Sequence, residues 1–173
     1  MKKFLVLLVA ILLCLPLMIG CGKDGTDNPT TPNNPDNPVT DPEGTITLAV
    51  RNWDNGRTTA IADGCNGFFA IRGDNNFAGG SQSYEAIWSF ATIGQVYGVG
   101  SIKKIPTNGF SHWAAVKPGY GYVAKCINQK WENGEWVVVD TAHVRIYVDA
   151  WINSATTGGV MGATIKYQSP FVP

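Results

Sequence analysis

Three stretches of different hydrophobic patterning follow one another along the chain. After Met1-Lys2-Lys3, residues 4–15 form an unbroken apolar run that ends in Pro16-Leu17-Met18-Ile19-Gly20-Cys21. Residues 22–44 are almost wholly Asn, Asp, Thr, Pro and Gly, with Val39 the one large hydrophobe. From Thr45 onward, β-branched and aromatic residues come in short runs broken by glycine and asparagine. This last pattern predicts strands over 45–51, 67–72, 85–92, 95–102, 110–116, 121–130, 136–140, 143–151 and 160–167. Short strands with frequent turns predict an all-β fold, an antiparallel β-sandwich or a small barrel with little helix. One helix competes around residues 81–90, where Tyr84, Ile87, Trp88 and Ala91 have roughly helical spacing.

The most specific local prediction is a hairpin at Asn133-Gly134, because these two residues accept the positive φ angles of a two-residue type I′ turn. A two-residue loop fixes the register, so Glu132 faces Glu135 and Trp131 faces Trp136. Two indoles then meet across the ladder, a pair contributing about 0.2–1 kcal/mol.

The first stretch is laid out as a short export signal, with a basic start, an apolar run too short to span a bilayer and a small residue before the cut. Met18-Ile19-Gly20-Cys21 resembles a lipobox. The expected division is a lipoprotein signal peptide over 1–20, a lipidated Cys21 opening a tether over 21–43, and one β-rich domain over 44–173. In lipoproteins of this kind the cysteine receives a diacylglyceryl group and its amine an acyl chain such as palmitate, and several chains together hold a protein to a membrane. The tether lacks the apolar surface to offset the entropy of ordering. Its prolines, Pro29, Pro32, Pro35, Pro38 and Pro42, bias it toward extended polyproline-II conformations that hold the domain away from the headgroups.

About 130 residues remain for the domain, enough for one core. Basic and acidic residues balance at 13 each, and losing Lys2 and Lys3 with the signal leaves a slightly acidic protein, so nucleic acid is not an expected partner.

Few constellations carry chemistry. His112 stands beside Ser111, and His143 lies in an alternating strand; Ser111, His143 and Asp149 are the residues from which a hydrolytic triad would have to assemble, without a nucleophile elbow to support it. No catalytic residue is assigned. Asp54-Asn55-Gly56 and Asp74-Asn75-Asn76 offer oxygen ligands but not a twelve-residue calcium loop, so they read as turns, and no metal or cofactor is expected. Once Cys14 leaves with the signal and Cys21 carries lipid, Cys65 and Cys126 are the only pair left to bridge, the alternative being two separate thiols. Asp140-Thr141-Ala142 resembles the acceptor at which Bacteroidota attach O-glycans, making Thr141 a candidate; the other reading is a polar turn between Val139 and Val144. Of Trp53, Trp88, Trp113, Trp131, Trp136 and Trp151, most should fill the core, and the pair at the hairpin tip, Trp131 and Trp136, is the candidate ligand-binding site, since indole faces stack on sugar rings.

Asp54-Asn55-Gly56, Asn75-Asn76-Phe77, Gly100-Ser101-Ile102 through Ile105-Pro106, Pro118-Gly119-Tyr120-Gly121-Tyr122-Val123-Ala124 and Gly162-Ala163-Thr164-Ile165-Lys166-Tyr167-Gln168 together resemble a family of uncharacterised Bacteroidota cell-envelope lipoproteins, a domain of unknown function. The resemblance implies an outer-membrane, lipid-anchored address with surface display and brings no site residues. The expected function is non-enzymatic binding, with polysaccharide the leading ligand and a surface protein the other partner class. A fimbrial or envelope-assembly component and an envelope hydrolase are the alternatives.

Overall fold

The computed structural model describes residues 39–52, 59–81 and 83–173. The expected signal peptide, Cys21 and the expected tether as far as Pro38 lie outside the described residues, as do Trp53 and Asp54-Asn55-Gly56.

The described part is all-β. Strands β1 (Ile46–Arg51), β5 (Ala86–Gln95), β7 (Tyr120–Glu132), β8 (Glu135–Asn153) and β9 (Val160–Gln168) form one antiparallel sheet in the order β1-β9-β8-β7-β5. Strands β2 (Ala60–Ile61), β3 (Phe68–Ile71), β4 (Asn76–Gly80) and β6 (Ala114–Ala115) form a second, in sequence order. Their inner faces share one core. From the large sheet come Val50, Trp88, Phe90, Tyr122, Ala124, Cys126, Val144, Ile146, Val148, Ala163, Ile165 and Tyr167; the small sheet contributes Ala60, Phe69, Ile71, Phe77 and Ala114. Phe69 is the hub, its ring 5.6–6.5 Å from those of Tyr167, Trp88, Phe77 and Phe90. A parallel bridge, Asn52 to Ile71, joins the sheets through β1 and β3, and Ser111, just ahead of β6, bridges Phe90 of β5. The architecture is thus a sandwich stitched between its two sheets.

The outer face of the large sheet carries a smaller cluster of Ile102, Val123 and Phe171, with Ile105 and Phe110 beside it. Arg145 is buried there. Its guanidinium lies 4.8 Å over the Phe171 ring and donates to the Ile102 carbonyl at 2.9 Å and to Gln168 at 2.7 Å. Residues 39–43, which composition assigns to the tether, lie against this side of the domain: Asp41 pairs with Lys166 at 2.8 Å, and the Glu43 carbonyl accepts from Gln168 at 2.6 Å. Val39 abuts the tight turn Val99–Ser101, where a methyl on Gly100 would fall 3.1 Å from its Cγ1 and 2.6 Å from the Thr40 carbonyl.

Several sequence-based expectations need correction. Residues 136–140 and 143–151 belong to one strand, β8, so Asp140-Thr141-Ala142 is strand interior and not a turn; the irregularity sits as a bulge where Asn128 and Gln129 pair with Asp140 and Val138. Residues 85–92 and 95 likewise join in β5 through a shift at Gly94, and 96–102 turn away around Val99–Ser101. Only Ala114–Ala115 of 110–116 is strand, apart from the Ser111 bridge. The competing helix around 81–90 gives way to β5, which sends Trp88 and Phe90 into the core on alternate positions, as a strand requires. Strand β4 was not anticipated, because Gly79-Gly80 carries no strand-forming side chain. The reason is packing: a methyl on Gly79 would land 2.1 Å from Trp88 Cγ, so bare backbone is what admits the indole.

Candidate functional site

The Asn133-Gly134 turn forms as expected, with φ of 52° and 89°, and the register pairs Trp131 with Trp136 and Glu132 with Glu135. Tertiary structure adds length to this hairpin. β5 stops pairing with β7 at Asn128, and β9 stops pairing with β8 at Arg145, whereas β7 and β8 continue together to the turn. The result is a two-stranded arm leaving the sheet, with every residue from Lys130 to Thr141 exposed.

Side chains alternate along the arm, and the bulge resets the alternation on β8. Trp131, Trp136, Gln129 and Val138 therefore share one face, and Lys130, Val137, Glu132 and Glu135 the other. The two indoles meet edge to face, centroids 5.3 Å apart at 70°, a favoured aromatic geometry. Trp131 is 60% exposed and Trp136 40%, so indole surface is open to a ligand. At the root, Gln129 donates to the Tyr84 carbonyl at 2.6 Å, bringing a residue that is 79% exposed next to the same face. Thr141 lies exposed on that face, opposite Ile127. Lys130 and Glu132 pair at 3.1 Å on the other.

Sequence reasoning missed the run Val137-Val138-Val139, which is 40–60% exposed on a strand that pairs only with β7 over residues 135–142 among the described residues. The signal was present: three consecutive β-branched residues break the alternation expected of a half-buried strand.

Fewer of the other indoles fill the core than expected. Trp88 is buried in the core and Trp151 packs against it, while Trp113 is exposed beneath the Arg72 guanidinium, 5.4 Å from its centroid. Asp74-Asn75-Asn76 is the β3–β4 turn: Asn75 has φ 58°, and the Asp74 carboxylate accepts the Asn76 N–H. Among the described residues no three His, Cys, Asp or Glu side chains are grouped to hold a metal.

The triad residues do not assemble. His143 and Asp149 lie six residues apart on β8, about 20 Å along a strand. His143 packs against Phe110, and burial, with Lys125 nearby, holds its imidazole below the ordinary histidine range. The Nδ1 of His112 sits 3.3 Å from the Trp88 carbonyl.

Cys65, half-buried in the β2–β3 connection, packs against the core cluster that holds Cys126, fully buried on β7, and both are free thiols. Hydrogen bonding to Cys126 and burial push Cys65 far above the usual thiol range, and the bond from Cys65 lowers Cys126 against its own burial.

No curated protein and no solved structure matches the chain. A family model does match, over residues 47–172, from the second residue of β1 to Val172 and so across both sheets and the arm. The chain therefore belongs to the family described as Domain of unknown function (DUF5036).

Proposed function

We propose that this protein is a non-enzymatic surface lipoprotein of a Bacteroidota-type outer membrane, held by lipid on Cys21, whose β7–β8 arm binds polysaccharide through Trp131 and Trp136. The carrying observation is the exposed edge-to-face indole pair on a projecting hairpin. The apolar C–H faces of a pyranose stack on an indole face, and a rigid aromatic pair offers that surface at little entropic cost. The pair also lies beyond the last β5–β7 pairing, three residues or about 10 Å along β7 from Asn128. The lipobox-like ending of the first twenty residues and the proline-rich tether support display, and Thr141 is the candidate O-glycan acceptor beside the arm.

The test is a fluorescence titration of the lipid-free chain from Gly22 with host and microbial polysaccharides. Saturable quenching, abolished by Trp131→Ala and by Trp136→Ala with the fold intact, is the expected result. A flat response from the native chain across the panel would overturn the glycan reading.

A second reading has its own observation. Among the described residues the edge of β8 over 135–142 has no second strand beside it, and with the exposed Val137-Val138-Val139 run it suits strand addition, in which a partner's extended segment takes up N–H and C=O groups along that edge. That would make the protein an assembly component, and Val138→Lys rather than Trp131→Ala would then abolish association.

A further inference from the structure

We propose that Cys65 and Cys126 form a disulfide that staples the small sheet to the large one beneath the root of the hairpin arm. The inference rests on the export reading above, which supplies an oxidising compartment, and not on glycan binding.

The geometry comes from Asn128, two residues beyond Cys126 on the same inward face of β7. Its Oδ1 accepts the Asn66 N–H at 2.8 Å and the Cys126 S–H at 3.3 Å, and its Nδ2 donates to the Gly64 carbonyl at 2.7 Å. The residues on both sides of Cys65 are thus held by the neighbour of Cys126. Gly64 reinforces the placement: its φ is 78°, and a methyl there would lie 3.5 Å from Ala142 Cβ, the residue directly opposite Cys126 on β8. Cys65 itself packs against the core cluster to which Cys126 belongs.

A second consequence concerns the arm. The other carboxamide hydrogen of Asn128 reaches the Asp140 carboxylate, at the bulge where the arm leaves the sheet. One residue therefore links the cysteine turn to the arm's root, and a covalent bond at Cys65–Cys126 would fix both. The step balances as thiol–disulfide exchange. One thiolate attacks an exchange-active protein disulfide of the envelope; the second displaces that protein from the mixed disulfide. Two protons and two electrons leave the pair, and the oxidant becomes a dithiol.

The experiment uses the full chain recovered from the membranes of an exporting host. Free thiols are blocked under a denaturing acid quench, the sample is reduced, and newly freed thiols receive a second reagent before digestion and mass analysis. The expected outcome is the second label alone on Cys65 and Cys126, one linked peptide pair in the unreduced digest, and a melting midpoint that falls by roughly 10 °C on reduction. The first label on most of both cysteines overturns the bond, and a linked pair whose reduction leaves the midpoint unchanged overturns the staple. The N-terminal peptide keeps the two readings apart. Free thiols on a chain that begins with acylated Cys21 sink the disulfide alone; free thiols on a chain retaining Met1 sink the export reading with it.

Discussion

Gly79 has no side chain, and the space this leaves on β4 is filled by Trp88, whose ring lies 5.8 Å from Phe69 and nearly parallel to Phe90. A methyl at Gly79 would stand 2.1 Å from Trp88 Cγ and 2.3 Å from its Cβ, and neither atom can swing away as the end of a flexible chain could. Gly79→Ala should therefore destabilise the domain by about 1–3 kcal/mol, as overpacking at a rigid contact does. The check is urea unfolding, where the midpoint should fall with the slope unchanged; an unmoved midpoint would mean that the sheets separate more easily than this packing implies. Asn128 illustrates the same scale with polar atoms. Its amide engages the Asn66 N–H, the Gly64 carbonyl, the Cys126 thiol and Asp140. Nothing in the local sequence Ile127-Asn128-Gln129 distinguishes it from a surface asparagine, because its partners stand up to 64 residues away.

Among the elements, the strap at 39–43 and the arm differ in what their sequences disclose. The strap reads as tether, since five residues with one hydrophobe cannot order themselves. It is ordered by what it meets: the glycine-lined turn at Gly98 and Gly100 that receives Val39, and Lys166, whose ammonium Asp41 holds above its ordinary value. A chain beginning at Gly44 should be about 1–2 kcal/mol less stable than one beginning at Gly22, mostly through lost apolar contact, since a half-exposed ion pair contributes little. Thermal unfolding of the two chains decides this, and equal midpoints would reduce the strap to a passive contact. The arm was legible in part. Asn133-Gly134 set its turn and the facing of its indoles, because turn chemistry is local and two-residue loops leave one register. Its length was not, since that depends on where β5 and β9 stop pairing.

At the scale of the molecule, one core joins both sheets, so a local protonation is felt as global stability. Burial, and then Lys125, depress the His143 pKa. Between its folded value and the ordinary value of 6.5 the unfolded chain binds the extra proton, so stability is fully present above about pH 6.5 and is lost as pH falls through that window. Denaturation midpoints from pH 7.5 to 5 should decline in the native protein and decline less in His143→Phe. Parallel curves for the two proteins would show that the imidazole is not the titrating group.

The β class, the hairpin turn with its indole pair and the segregation of signal-like, polar and folded stretches were legible in the chain, because each follows from residues close to one another along it. Tertiary packing was needed to place Asp140-Thr141-Ala142 inside one long strand, Gly79 in a strand at all, Val39 against the turn at Gly100, and Cys65 on the core cluster that holds Cys126. These outcomes depend on which surfaces come together across the sandwich. Sequence periodicity fixes which way a side chain points, whereas its neighbour is chosen by the packing of strands as distant in the chain as β1 and β9.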